Sequence, residues 1–566
     1  MLLRKDKGWN ADDGRFDYDA IVIGTGVGGI YQLYRLKQAG LRVLALEAAK
    51  GVGGVWWWNR YPGARLDSEA PSYGYSFSPE LLEEWDWSER FAAQPELQRY
   101  FDYVVDRFDL RPHIQFDTLV TAAHYQSDEQ GWALTTERGD HYRCRYLIAA
   151  VGPLTLPSYP PIPGRESFAG ETCHTSRWPD REVSFAGKRV AVVGTGATGV
   201  QVIQEAAKSA AQLYVFQRTP NYCAPLNNAP VAQEEQPAVK ARYPEMIAAC
   251  RSTNSWFIHD PDPRSVFDLS DEEREAFLEK LYAEPGIGIW KANFSDIAVD
   301  PAANEVVSDF MRRKIRERVK DTETAERLTP RSYGFGTRRV PLETRYYEVY
   351  NQPNVQLIDV NETPIERITP SSIVTSEAEL DVDIIVYATG FDAVTGSFDR
   401  IDIRGVDGAR LKDKWEHGPQ TFLGVHAAGF PNFFMVGGPL ASLGNFTPAL
   451  EFSVNWIMDL LDFMSAKGLP CVDAKPEAER EWTDFVREGQ AKLLISSVKS
   501  WITGFNTNKE GKDEFRVLLY VGSAKDYRKW CADVKEGDYR QFSFDCGGAA
   551  GEGQERASVA MDSARS

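Results

Sequence analysis

Two glycine-rich turns, each set between an apolar strand and a helix, constrain this chain more than any other feature. Tyr18-Asp-Ala-Ile-Val-Ile runs into Gly24-Thr-Gly26-Val-Gly-Gly29, and Lys188-Arg-Val-Ala-Val-Val runs into Gly194-Thr-Gly196-Ala-Thr-Gly199. Such β-branched runs suit parallel strands buried on both faces. Glycines at this spacing permit a tight turn, close backbone approach to a pyrophosphate and close helix–strand packing. A crossover helix from Ile30 to Ala39 and a strand from Leu41 to Glu47 complete the first βαβ unit; an Ala-rich helix to Ala210 and a strand from Leu213 to Arg218 complete the second. The implied class is α/β, with two Rossmann-like dinucleotide-binding domains and a helical insertion.

The tips of the two second strands differ. Glu47 is placed to accept hydrogen bonds from an adenosine ribose, whereas Gln217-Arg218-Thr219 has no acid there, and a guanidinium suits a 2′-phosphate that a carboxylate would repel. One acid-tipped and one arginine-tipped site imply FAD fed by NADPH, with the flavin carrying the redox chemistry. The expected contacts are Gly24, Gly26, Gly29 and Glu47 for FAD. For NADPH they are Thr195, Gly196, Ala197, Thr198, Gly199, Gln201, Arg218 and Thr219.

Charge and composition narrow the partners. Among 566 residues, 82 acidic and 64 basic side chains leave a net charge of −18, which disfavours nucleic acid and anionic membrane surfaces. The first residues lack the apolar core of a signal peptide and no apolar run approaches a membrane span, so the expectation is a cytoplasmic chain that engages no membrane. Cys144, Cys173, Cys223, Cys250, Cys471, Cys531 and Cys546 include no C-x-x-C pair, which argues against a disulfide framework and a dithiol redox centre. The seven histidines show no metal-ligand spacing, so no metal is expected.

Five prolines between Gly152 and Gly164 read as an extended linker. Further on, Ser270-Asp-Glu-Glu273 is a capping box and Ser308 reads as the start of another helix; strand signals return from Asn354 to Val360 and from Asp383 to Gly390. The expected organisation is a FAD-binding domain from 1–154 and 386–545, an NADPH-binding domain from 155–225 and 331–385, a helical insertion at 226–330 and a flexible tail at 546–566.

Two longer motifs separate this chain from other two-nucleotide folds. Phe168-Ala-Gly170-Glu-Thr-Cys-His174-Thr-Ser-Arg-Trp178-Pro179 fits F-x-G-x-x-x-H-x-x-x-W-P, and Gly53-Gly54-Val-Trp56 continuing to Tyr61-Pro-Gly63 and Asp67 fits G-G-x-W…[FY]-P-G-x-x-x-D. With Gly336-Thr-Arg-Arg339, Ala388-Thr-Gly-Phe-Asp392 and Ser500-Trp-Ile-Thr-Gly-Phe-Asn506, the chain closely resembles the type I (class B flavoprotein) Baeyer–Villiger monooxygenases. The resemblance leaves out only the N-terminal arm and the extreme C-terminal tail, and in motif arrangement is most similar to the branch containing phenylacetone and steroid monooxygenases.

That resemblance implies an NADPH- and O₂-dependent enzyme that converts ketones to esters or lactones through a flavin C4a-peroxide, as a monomer. It assigns Arg339 to stabilise the peroxide and the tetrahedral adduct, Asp67 to orient Arg339, and Gly54, Trp56, Asp67 and Tyr73 to the flavin surroundings. Arg338, where the family more commonly has lysine, is assigned to the 2′-phosphate, and Trp501 to a mobile loop covering the nicotinamide nucleotide. His174 is read as coupling the linker to the domains, and Ala441, Ser442 and Leu443 as substrate pocket. Rival readings are a flavin monooxygenase that oxygenates nitrogen or sulfur, and an NADPH-binding redox sensor without turnover.

Overall fold

Both glycine turns emerge from strands whose successive residues are buried on opposite faces. In the computed structural model, which describes residues 14–509 and 511–546, Ala20 and Val22 of strand Tyr18–Ile23 enter one apolar core while Ile21 and Ile23 enter another. Val190 and Val192 of strand Arg189–Val193 likewise face one core, Ala191 and Val193 a second. A strand covered on both sides needs packed layers above and below, and the result is the doubly wound α/β arrangement read from the sequence.

The parallel heart of the first sheet runs Ile114–Gln115, Val43–Leu46, Tyr18–Ile23, His141–Ala149 and Phe433–Met435. Strands Gly131–Thr136, Val120–Gln126 and Asp402–Arg404 extend it. The second sheet has five parallel strands in the order Val355–Asp359, Gln212–Gln217, Arg189–Val193, Ile384–Tyr387 and Glu171–His174. Every residue of Ile384–Tyr387 pairs within the second sheet, so the return to the first lies beyond Tyr387 rather than at 386.

The chain passes from the first sheet to the second through the proline-rich segment and returns after Thr389. These passages run side by side, because Leu156–Pro157 and Phe391–Asp392 pair antiparallel. Beyond the return, helix Phe446–Lys467 packs on the first-turn helix Val27–Gln38, with Tyr31 Oη donating to Asn455 Oδ1 at 2.9 Å.

The 226–330 segment is helical, with Tyr243–Ser252, Asp271–Ala283 and Pro301–Arg318 its longest elements. Ser270 caps its helix as expected, accepting from Glu273 N–H. Ser308 does not open a helix. The carboxylate of Asp300 accepts from the N–H groups of Ala302 and Ala303, and Pro301 has no N–H to satisfy, so the helix begins eight residues earlier. Ser308 lies buried inside it, donating to Asn304 Oδ1 and accepting from Phe335 N–H.

A second correction concerns the cysteines. Strand Asp473–Ala474 pairs antiparallel with Phe542–Ser543, and beside that pairing Cys471 and Cys546 form a disulfide. Scattered spacing therefore hid one cross-link, because the two partners are brought together by a pairing across 75 residues. Cys546, the first residue of the expected tail, is tied down by the disulfide; the rest of that tail, 547–566, lies outside the described residues. Among the described residues no helix is long and apolar enough to cross a membrane. Thiol titration of unfolded protein should find five free cysteines without reductant and seven after reduction; seven in both cases would remove the cross-link.

Candidate active site

One cavity of about 1870 Å³ runs between the two sheets and the helical insertion. Pockets for a single small ligand typically hold roughly 300–1,000 Å³, so this volume suits more than one ligand at once. Gly24, Gly26, Glu47, Gly54, Trp56, Asp67 and Tyr73 line it, as do Thr195, Gly196, Ala197, Thr198, Gln201, Arg218, Thr219, Arg338, Arg339 and Trp501. Gly29 and Gly199 do not. A Cβ on Gly29 would stand 2.0 Å from the Gly24 carbonyl oxygen, and Gly199 meets Gly194 in the same way at 2.3 Å; both serve helix–strand packing. Gly196 differs again, since it lines the cavity and a Cβ there would meet no protein atom within 4 Å.

At the first turn, Glu47 accepts from Thr25 N–H and Thr25 Oγ1 at 2.7 and 2.8 Å and from Ala49 N–H at 2.8 Å, which fixes its carboxylate at the cavity edge. The turn leads into the N-terminus of helix Val27–Gln38, where free N–H groups favour a pyrophosphate. These features fit FAD. Trp56 Nε1 donates to Tyr73 Oη at 3.0 Å, and burial holds the Tyr73 phenol neutral, its pKa pushed up to about 12. Trp58 also faces the cavity, whereas Trp57 packs on Gly51 and beneath Arg60.

At the second turn, Arg218 and Arg338 lie close enough to repel. Burial and the charge of Arg338 both lower the Arg218 pKa. Among the described residues neither forms an ion pair with a carboxylate; Arg218 Nη1 donates to Thr507 Oγ1 at 2.7 Å and Arg338 Nη2 to Lys499 O at 2.8 Å. Two guanidiniums held by one loop fit a 2′-phosphate. Gln201 also ties the two sheets' segments together, accepting from Tyr61 Oη at 2.6 Å and donating to Arg65 O at 3.3 Å.

Arg339 donates to Asp67 Oδ2 in the same cavity. Burial opposes its charge, the facing carboxylate supports it, and the balance holds the guanidinium's pKa above its ordinary value. It is a permanent cation between the two nucleotide sites.

The fingerprint residues Phe168, Gly170, His174, Trp178 and Pro179 lie outside the cavity lining. Trp178 N–H donates to Trp58 O at 3.2 Å, and Glu171–His174 is the edge strand of the second sheet. His174 Nδ1 accepts from Ser176 N–H at 3.1 Å, so a neutral ring carries its proton on Nε2, 3.4 Å from Thr389 Oγ1; Thr389 Oγ1 in turn donates to Ser158 O at 2.6 Å. His174 thus stands where both passages between the sheets meet and lies outside the cavity lining.

The expected substrate pocket needs one correction. Ser442 and Leu443 line the cavity, but Ala441 packs against Gly424, and Ser442 Oγ accepts from Trp256 Nε1 at 3.0 Å. Residues without a motif complete the wall: Asn254 to Ser255, Phe257, Trp290 and Lys291 from the insertion, with Phe446 opposite. The sequence signal for Lys291 is slight, a lone lysine closing the apolar run from Ile287 to Trp290.

The fold and this site define an NADP-linked flavoprotein. A family profile described as pyridine nucleotide-disulphide oxidoreductase matches residues 21–253. The 2-oxo-Δ3-4,5,5-trimethylcyclopentenylacetyl-CoA monooxygenase of Pseudomonas putida is 46% identical, covering 93% of this chain and 98% of its own. The phenazine N-monooxygenase PhzNO1 of Lysobacter antibioticus and the acetone monooxygenase (methyl acetate-forming) of Gordonia sp. are each 41% identical, covering 94% and 93% of this chain and 98% and 99% of theirs. A crystal structure of OTEMO with FAD and NADP superposes with a TM-score of 0.90 at 45% identity, and oxidized steroid monooxygenase bound to NADP with 0.88 at 42%; each comparison covers 93% of this chain and 99% of the other. The chain belongs to the type I Baeyer–Villiger monooxygenases.

Burial, reinforced by the charges of Arg177 and Arg165, brings the His174 pKa from 6.5 down to about 4. The unfolded chain therefore binds a proton between those values that the folded chain refuses, and stability falls as pH drops from 6.5 to 4, by about 3 kcal/mol in full. Urea unfolding of wild type and His174→Asn should show the smaller acid loss in the variant; equal losses would place the effect elsewhere.

Proposed function

We propose that this chain converts a ketone into an ester or lactone with NADPH and O₂ at FAD, and that Arg339, held by Asp67 between the two nucleotide sites, is the residue on which that outcome depends. The carrying observation is the Asp67–Arg339 pair in the shared cavity. Hydride acceptance from NADPH and activation of O₂ are the chemistry FAD supplies when bound. Arg339 contributes a fixed positive charge where negative charge develops on oxygen as the ketone is attacked, and it has no proton to give up at working pH. A preorganised donor of this kind typically accounts for roughly 3 kcal/mol. Asp67 keeps the guanidinium from swinging toward either nucleotide phosphate.

The 499–507 loop links cofactor binding to water exclusion. Its Lys499 and Thr507 hold Arg338 and Arg218, while Trp501 lines the cavity, so a 2′-phosphate gathered by the two arginines also orders the cover over the reacting atoms. We place this chemistry in the cytoplasm in a monomeric chain, which light scattering on the FAD-loaded protein checks. A second reading, oxygenation of nitrogen or sulfur, is favoured by the likeness to phenazine N-monooxygenase.

In a product panel of cyclic, aryl and long-chain ketones, wild type should form esters or lactones and Arg339→Ala should form none while still reducing flavin with NADPH. N-oxides or sulfoxides from heteroatom substrates, with no ketone product, would give the site to the second reading. Arg218→Ala and Arg338→Ala should each raise the KM for NADPH about ten- to a hundred-fold, since a charge-assisted hydrogen bond is typically worth roughly 1.5–3 kcal/mol, and leave that for NADH nearly unchanged.

A further inference from the structure

The cavity holds a cation that the reaction itself does not use. Lys291 ends the short helix Gly288–Lys291, is half-buried and lines the cavity wall. Its Nζ lies 3.7 Å from the centroid of the Trp290 ring. Trp290 is itself wedged against the turn before Arg338, since a Cβ on Gly336 would come within 2.9 Å of its Nε1. The ammonium thus rests on an aromatic face, and among the described residues its three N–H donors have no hydrogen-bond acceptor.

Among the described residues no carboxylate forms an ion pair with Lys291; the one in this part of the cavity, Asp67, is committed to Arg339. Arg339 is the charged group that acts on the lysine, and it repels. Burial, with that repulsion added, brings the Lys291 pKa from 10.5 down to about 8. An ammonium costs free energy to bury without a counter-ion. The Trp290 face offsets part of that cost, and among the described residues no anion offsets the rest, whereas one brought in by a ligand would.

The nucleotide anions have their own receivers: the glycine turn and helix N-terminus at Gly26, and the Arg218–Arg338 pair. Lys291 instead shares its wall with residues of the insertion, Phe257 and Asn293, that serve neither turn. Resting on the reading of the cavity as a ketone-oxidising site, we propose that Lys291 is a specificity residue that receives a carboxylate carried by the ketone substrate at a distance from its carbonyl. The chain then prefers keto acids over neutral ketones of the same skeleton. The carbonyl lies toward Arg339, the carboxylate toward Lys291, and the two cations fix both ends of one substrate.

Matched pairs test this: 4-oxocyclohexane-1-carboxylate against its methyl ester, and 4-acetylbenzoate against its methyl ester, on FAD-loaded protein with saturating NADPH. Wild type should favour the carboxylate of at least one pair in kcat/KM by about ten- to a hundred-fold. Lys291→Met, which keeps an unbranched chain over Trp290, should lose that preference through KM for the acid while the ester's constants hold, and Lys291→Arg should restore it. Calorimetric titration of each acid into oxidised protein with NADP⁺ gives a readout independent of turnover. If no ketone is converted yet the acid binds and Lys291→Met weakens it, the ketone reading fails and the anion site stands. Preference for both esters in wild type, equal losses for acid and ester, or a Lys291→Met effect confined to the KM for NADPH would overturn the proposal.

Discussion

The ion pair between Asp67 and Arg339 is the interaction on which the arrangement turns, because its two members come from different sheets' segments. Asp67 follows the first glycine turn's unit, and Arg339 lies between strands Gln212–Gln217 and Val355–Asp359 of the second. Tyr61–Gln201 and Trp58–Trp178 repeat the same linkage nearby. Asp67 is 10% exposed and Arg339 39%, so the pair is shielded only in part, yet it ties a segment of one half to a segment of the other at the cavity.

The net charge of −18 is a poor guide to the cavity. Arg65, Arg177, Arg218, Lys291, Arg338, Arg339, Arg400 and Lys499 all line it, against Glu47 and Asp67. A chain that repels polyanions from its outside concentrates positive potential in the one place where phosphates belong. The low dielectric of the walls strengthens that field locally, and the acidic exterior disfavours nonspecific anion binding elsewhere.

The sequence was most legible where backbone geometry dictates residue type. Glycines that cannot carry a Cβ, buried strands of alternating allegiance, and the Glu47 and Arg218 tips all declare themselves locally. Ser308 misled because a good capping residue was outcompeted by Asp300-Pro301, and no local rule ranks two candidates eight residues apart. The Cys471–Cys546 cross-link depends on a pairing of distant strands, and Ala441 on which way one side chain turns in a loop. Lys291 was nearly silent for a different reason: a lysine after tryptophan becomes informative only when the fold shows that no acid among the described residues pairs with it. The insertion contributes its wall residues through tertiary placement, and such residues carry no spacing rule.

The pairing of Leu156–Pro157 with Phe391–Asp392 has a mechanical consequence. Because the two covalent passages are paired with each other, a shift of one is carried directly to the other. His174 and Thr389 brace one side of that crossing, and Asn506 of the 499–507 loop grips it by donating to Ser158 Oγ at 3.1 Å and to Phe391 O at 3.3 Å. The 499–507 loop is thus tied to both passages at once, and its position follows the crossing rather than either sheet alone.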